Sequence, residues 1–238
     1  LSNGLNVVLA QRKGVPTVII NLVADAGYKT DYLSSPGTAN LAMNLMDEGT
    51  KDKTSLEINE QLQLLGASLS TFSSQDESNV YMSTLKPSLD ASLDLFMDVL
   101  LNPVFPQKEF ERLQKEQINN IKQEKSQPIT MALRVMNKYL YGEDHPYSSP
   151  YTGTGYEDTV SELTREDVVD FYDTWFKPNN STLIVTGDVE MSELKSKLEK
   201  TLGKWKKGDV PTIAFNEPKT GSKNTLYLMN RPESQQSV

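Results

Sequence analysis

The stretch Pro36-Gly37-Thr38-Ala39-Asn40-Leu41-Ala42-Met43-Asn44-Leu45-Met46-Asp47-Glu48-Gly49-Thr50 decides how this chain is read. Ser34 and Ser35 ahead of it offer an N-cap, and Pro36 suits a first helical position, where a missing N–H costs nothing. Ala39, Leu41, Ala42, Met43, Leu45 and Met46 then leave almost no polar stripe, which predicts a helix over ~36–48 buried on nearly every side. Asn40 and Asn44 are the exceptions. Four residues apart, they point the same way from a helix, with Met43 beside them.

Outward from this helix the pattern alternates between strands and helices. Upstream, Leu5 to Ala10 and Thr17 to Ala24 are rich in Val, Ile and Leu and read as two strands paired through Gly14-Val15-Pro16. Downstream, Thr54-Ser55-Leu56-Glu57 is a capping box opening a second helix, with Gly66 as its C-cap. Ala67–Ser73 and Asn79–Lys86 read as strands joined by a polar turn. Leu89, Leu93, Phe96 and Leu100 keep helical spacing, as do Ala132, Val135, Met136, Tyr139 and Leu140. The charge-rich stretch 107–126 between them predicts a more exposed helix. Another amphipathic helix carries Val168, Tyr172, Trp175 and Phe176. A buried-type strand, Thr182–Thr186, and a helix with Met191, Leu194, Leu198 and Leu202 follow. The expected fold class is α+β, a mostly antiparallel sheet with helices layered on one face. The expected division is a body over 1–207, a Gly-, Pro- and Lys-rich linker over 208–223, and a strand at Thr225–Met229. That strand, within 224–238, opens a second unit and would find its partners outside this chain. Both termini read as cut from something longer.

Composition removes several classes of chemistry. The 238 residues include no cysteine and one histidine, and 24 basic against 32 acidic residues give a net charge of −8. Thiolate metal sites, disulfides and a cysteine nucleophile are excluded, and one imidazole is too few for a two-histidine metal site. An acidic chain argues against nucleic acid as a partner. No apolar run approaches the ~20 residues that span a bilayer, so no membrane span is expected. His145, in a polar loop before Pro146, reads as a surface group. Gly153-Thr154-Gly155 lacks a preceding strand and reads as a loop turn. Asp25-Ala26-Gly27 reads as a strand-end turn, and Asn179-Asn180-Ser181-Thr182 as a helix-to-strand loop.

The quoted stretch resembles the Gly-x-Ala-His-x-x-Glu-His-Met…Gly-Thr block of the pitrilysin/insulinase family of zinc peptidases, the inverzincins. Leu1-Ser2-Asn3-Gly4-Leu5, Asp25-Ala26-Gly27, Leu65-Gly66-Ala67 through Val80-Tyr81, Asn102-Pro103-Val104-Phe105 with Glu111-Arg112, and Phe176-Lys177-Pro178-Asn179-Asn180 through Asp188 resemble further landmarks of that family. Asn230-Arg231-Pro232 through Ser237 is similar to the strand opening its next subdomain. The resemblance implies a processing-peptidase/LuxS-like metallohydrolase fold. Where active members carry the two histidines, this chain has Asn40 and Asn44; the catalytic glutamate position is Met43; the third ligand falls on Asn120 or its neighbour Asn119. A neutral amide oxygen is a poor zinc ligand, and methionine cannot move a proton.

The resemblance therefore implies a non-zinc-binding segment of a zinc metalloendopeptidase. Such a segment contributes chamber wall and substrate contacts, while zinc sits in a homologous partner half, on the same chain or another. The alternative is a scaffold like the respiratory-complex core proteins. Substrates would be peptides or unfolded proteins, and the family points to a periplasmic or secreted bacterial location. In active halves the strand after the second helix is an open edge that peptides join by main-chain pairing. Leu69, Ser70, Thr71, Phe72 and Ser73 occupy that position, as a substrate edge or as an edge capped by its own loop.

Overall fold

The structure is a computed structural model that describes residues 1–217 and 225–229. Five strands form one sheet: β1 (Asn6–Gln11), β2 (Thr17–Ala24), β3 (Ser68–Ser73), β4 (Ser78–Leu85) and β5 (Ser181–Gly187). The spatial order is β1-β5-β2-β4-β3. Among the described residues only the β1–β5 pair is parallel. Adjacent strands in sequence do not all pair. β5, formed some 150 residues later, inserts between β1 and β2, and the expected β1–β2 hairpin is absent.

Period-2 burial shows which face holds the core. Along β2, Val18, Ile20, Leu22 and Ala24 are fully buried while Thr17, Ile19, Asn21 and Val23 are half-buried. The helices cover the first face, and the other face stays open, with Val8, Phe72 and Ile184 on it in solvent. This is the α+β arrangement expected from the sequence.

The covering layer comprises α1 (Thr38–Leu45), α2 (Ser55–Leu65), α3 (Leu89–Leu101), α4 (Gln107–Ser126), α5 (Pro128–Tyr141), α6 (Glu157–Glu162), α7 (Arg165–Trp175) and α8 (Met191–Thr201). α2 begins at the expected capping box: Thr54 accepts from the Glu57 N–H while Glu57 accepts from that of Thr54. It ends at Gly66 in a left-handed conformation. α3 buries Leu89, Leu93, Phe96 and Leu100, as its spacing requires.

α5 departs from its sequence pattern. Its buried positions are Arg134 and Asn137, whereas Ala132, Tyr139 and Leu140 of the apolar stripe are exposed. The polar face turns inward because the 150–155 loop supplies partners there. Arg134 donates to Thr154 Oγ1 at 2.8 Å, to Gly155 O and to the Glu124 carboxylate. Asn137 Nδ2 donates to Ser149 O at 3.2 Å. A saturated polar network outweighs the burial of one apolar stripe.

His145 is also a correction. It is 5% exposed, packed among the rings of Tyr141, Tyr147 and Phe215, and its Nδ1 accepts from the Tyr147 N–H at 3.0 Å. Phe215 comes from the expected linker, whose described part, 208–217, lies against the body. Val210 and Ile213 touch the core, and Asn179 and Gly208 exchange hydrogen bonds of 2.9 and 3.1 Å. Thr225–Met229 is irregular backbone rather than a strand, with Tyr227 stacked on Tyr139 at 4.2 Å. The remainder of the proposed second unit, Asn230 to Val238, lies outside the described residues.

Candidate functional site: a degenerate metal helix beside an open sheet edge

α1 is short and its first turn has no side-chain cap of its own. Gly37 at its N-cap sits at φ +104°, where a Cβ would come within 2.7 Å of Val160 and 2.9 Å of Gln117. The capping role passes to Asp31, six residues upstream. Its carboxylate accepts from the Gly37 N–H at 2.8 Å and the Ala39 N–H at 2.9 Å. Asp31 is 1% exposed, and burial pushes its pKa up to about 7 against the pull of those backbone donors.

Two further elements clamp the same end of α1. Gln117 of α4 donates to Gly37 O at 3.0 Å and to Thr154 O at 2.9 Å. Its Oε1 is buried without a partner among the described residues. Gly155, at φ +75°, leaves no room for a side chain: a Cβ there would stand 2.2 Å from Pro36 O. Gly153-Thr154-Gly155 is a loop turn, as its sequence suggested, and also the strap that holds the helix start.

The sequence-singled residues then fall into place. Asn44 Nδ2 donates to Asn40 Oδ1 at 3.0 Å, so the two amides share a face and satisfy each other. Asn44 is exposed and Asn40 half-buried, whereas Met43 is 1% exposed and belongs to the core. Asn119 and Asn120 lie exposed on α4, which crosses α1 through Gln117. Among the described residues no hydrogen bond joins Asn119 or Asn120 to Asn40 or Asn44. These residues do not fit a zinc ion. The two amides are neutral and tied to each other, and the buried thioether of Met43 has no proton to move. Among the described residues no cluster of three His, Cys, Asp or Glu could hold a metal.

β3 runs beside this helix. Thr71 Oγ1 contacts Asp47 Oδ1 at 3.4 Å just past the end of α1, and burial raises the Asp47 pKa. Among the described residues β3 pairs only with β4, so its other edge carries main-chain groups unpaired by any of them. Leu69, Thr71 and Ser73 lean toward the helical layer, half-buried, while Ser70 and Phe72 stand out on the open face. The α1 face lies on one side of this edge.

Sequence reasoning missed Asp31, Gln117, Glu124 and Arg134, which hold the site without belonging to any motif. Ser34 and Ser35, which the sequence offered as caps, do not cap α1, whose N-cap is Gly37, and this left the role of Asp31 unseen. The one available signal was a polar pair, Arg134 and Asn137, three apart on α5.

The arrangement carries an expected result. Asn40→His, Asn44→His and Asn120→Glu together should raise zinc affinity at least about tenfold over the unaltered chain in a chelator-competition titration. Met43 is left alone, because a glutamate there would be charged inside the core. No gain with Glu at either Asn120 or Asn119 would mean that α4 does not present those positions to the α1 face.

Comparisons with known proteins follow the same lines. Residues 6–144 match the family described as insulinase (peptidase family M16), and residues 162–238 match the peptidase M16 inactive domain. The chain is 25% identical over 217 residues to the β subunit of mitochondrial-processing peptidase of Rattus norvegicus, covering 90% of this chain and 43% of that protein. It is 26% identical to the zinc protease PqqE of Helicobacter pylori, over 96% of this chain and 52% of the relative. The chain thus spans about half the length of the curated relatives it matches. Among solved structures, the peptidase M16 inactive domain from Pseudomonas fluorescens superposes with a TM-score of 0.83 at 22% identity, over 91% of this chain and 52% of that one. A protease from Helicobacter pylori gives 0.82 at 24% identity, over 92% and 53%. With more than half of its length matched and the fold shared, the chain belongs to the insulinase family of peptidases, M16.

Proposed function

We propose that this chain is a non-zinc-binding segment of an M16 metalloendopeptidase. It supplies chamber wall and a substrate-pairing edge to a homologous, zinc-bearing half. The observation that carries this reading is the hydrogen-bonded Asn40–Asn44 pair, at the positions where the resemblance expects histidines, in a chain whose residues 6–144 match the family. Zinc in the partner half would polarise the scissile carbonyl and activate water there. This chain's own contribution is positional. An extended substrate would pair with the outer edge of β3, with alternate side chains turned toward α1 and away from it. No step of bond cleavage uses Asn40, Met43 or Asn44.

The edge strand β3 beside α1 supports this reading, because an extended chain could pair there next to the α1 face. The periplasmic protease PqqL of Escherichia coli shares the fold with a TM-score of 0.77 at 20% identity, over 90% of this chain and 24% of that one. Together with the absence of a membrane-crossing helix among the described residues, this fits a periplasmic site of action.

The purified chain should hydrolyse no fluorogenic peptide above the buffer blank, with or without added zinc. Chelator-sensitive cleavage by the chain alone would refute the assignment. With a zinc-bearing half present, proline placed across Leu69–Ser73, at N–H groups facing away from β4, should lower kcat/KM at least about tenfold, since each removes a pairing donor. An unchanged kcat/KM would leave the chain a scaffold.

A further inference from the structure

Residues of α3, α8 and the segment after α8 line an open groove of about 820 Å³. The two helices are tied at one end by Lys197 with Asp90, and further along by Thr201 Oγ1 with Met97 Sδ at 2.6 Å. The 3-10 turn after α8, Leu202–Lys204, brings Trp205 into the wall. Met97, Leu101 and Trp205 form an apolar floor.

The rim is cationic in a chain whose net charge is −8. Lys51, Lys200, Lys204 and Lys206 line the groove, all exposed. Among the described residues none of the four has a carboxylate within 4 Å, although lysines elsewhere, such as Lys29, Lys86, Lys125 and Lys138, are paired. Two acids also face the groove. Asp98 is already engaged by Lys53 at 3.0 Å, by Thr50 Oγ1 at 2.9 Å and by Asn102 Nδ2 at 3.0 Å, which hold its carboxylate below the usual range against desolvation. Asp94 alone opposes the lysines.

We propose that this groove is a docking site for an acidic amphipathic segment of a partner protein. The charge is complementary, and local: beyond about 10 Å the acidity of the rest of the chain is screened at physiological salt. Four ammonium groups spread along an apolar floor do not converge on one point, as a single phosphate or sulfate would require. They suit carboxylates spaced along a chain whose aliphatic groups meet Met97, Leu101 and Trp205. Nucleic acid fits less well. Its uniform backbone charge would meet Asp94, whereas a peptide places an uncharged group there. The site lies apart from α1 and β3 and does not depend on the peptidase reading.

The test is a calorimetric titration of the whole chain with a helical peptide of about a dozen residues, glutamates on one face and leucines on the other. Binding should weaken at least about tenfold from about 50 to about 500 mM salt. Lys200→Glu/Lys204→Glu/Lys206→Glu should weaken it at least about tenfold, and Trp205→Ala should do so with a smaller salt dependence. Unchanged circular dichroism and Tm would show that these exposed substitutions leave the fold intact. Should Trp205→Ala prove unstable, replacing the peptide's leucines with serine reads the apolar contribution without altering the protein. The proposal fails if a peptide with lysines for glutamates binds equally, or if the triple variant binds as the parent does. It also fails if inorganic phosphate or single-stranded DNA displaces the peptide at its own concentration, which would make the groove a general anion site.

Discussion

Arg134→Met should lower the free energy of unfolding by about 3–5 kcal/mol, the range expected when one partner of a buried ion pair is removed. Arg134 is 4% exposed and ties three segments together: Glu124 near the end of α4, α5 itself, and the 150–155 loop through Thr154 Oγ1 and Gly155 O. Without it the Glu124 carboxylate keeps only the hydroxyls of Thr152 and Thr154, at 3.2 and 2.9 Å, and Gly155 O loses its donor. Against a usual total of about 5–15 kcal/mol, the loss is large. Urea unfolding would read it as a lower midpoint with an unchanged slope. Glu124→Leu with Arg134→Met should recover a large share, because removing both ions removes the desolvation penalty along with the attraction. A single-variant loss under about 1 kcal/mol would show that the pair is screened like a surface one. The consequence reaches the site, since Gly155 abuts Pro36 and Thr154 O accepts from Gln117 at the start of α1.

The second large effect is a pH dependence centred on the same helix. Asp31 ordinarily titrates at 3.8, and burial raises it to about 7 in the folded chain. Between those values the folded state holds a proton that the unfolded state releases, so stability falls as pH rises across that window. Over about three pH units, at about 1.4 kcal/mol each, Asp31 contributes ~4 kcal/mol at low pH that is gone above about pH 7. Carboxylates with lowered pKa, such as Asp98 and Glu157, act in the opposite sense, losing stability only as pH falls through their own low values. The difference between wild type and Asp31→Asn isolates the effect. Asparagine does not titrate and accepts from only one of the two N–H groups, costing about 1–2 kcal/mol near pH 4 from the lost cap. By pH 8 the variant should equal or exceed wild type. A flat difference from pH 4 to 8, or one that grows with pH, would mean that the Gly37 and Ala39 N–H groups hold Asp31 ionised.

Much of this architecture was legible because it rests on local chemistry. The capping box at Thr54, the left-handed Gly66, the spacing of Leu89, Leu93, Phe96 and Leu100, and the alternation of β2 are each set within a few residues of themselves. So was the placing of Asn40 and Asn44 on one face of α1, which depends only on their spacing of four along a helix. What stayed hidden was set by distant segments. The β1–β2 pairing looked natural from chain proximity, yet β5 enters between them and buries Leu183 and Val185 fully.

The same division runs through individual residues. By itself the sequence determined the α+β class, the five strands and most of the helices of the body, though not α6, and the family, since residue type and period carry that information directly. Tertiary structure alone decided that His145 sits in an aromatic cage with Phe215, that α5 turns Arg134 inward, and that Asp31 caps a helix six residues away. In each case a polar or aromatic group is satisfied by a partner distant in sequence or outside its own helix. Burial of such a group is favourable only once that partner is in place, which no local pattern records.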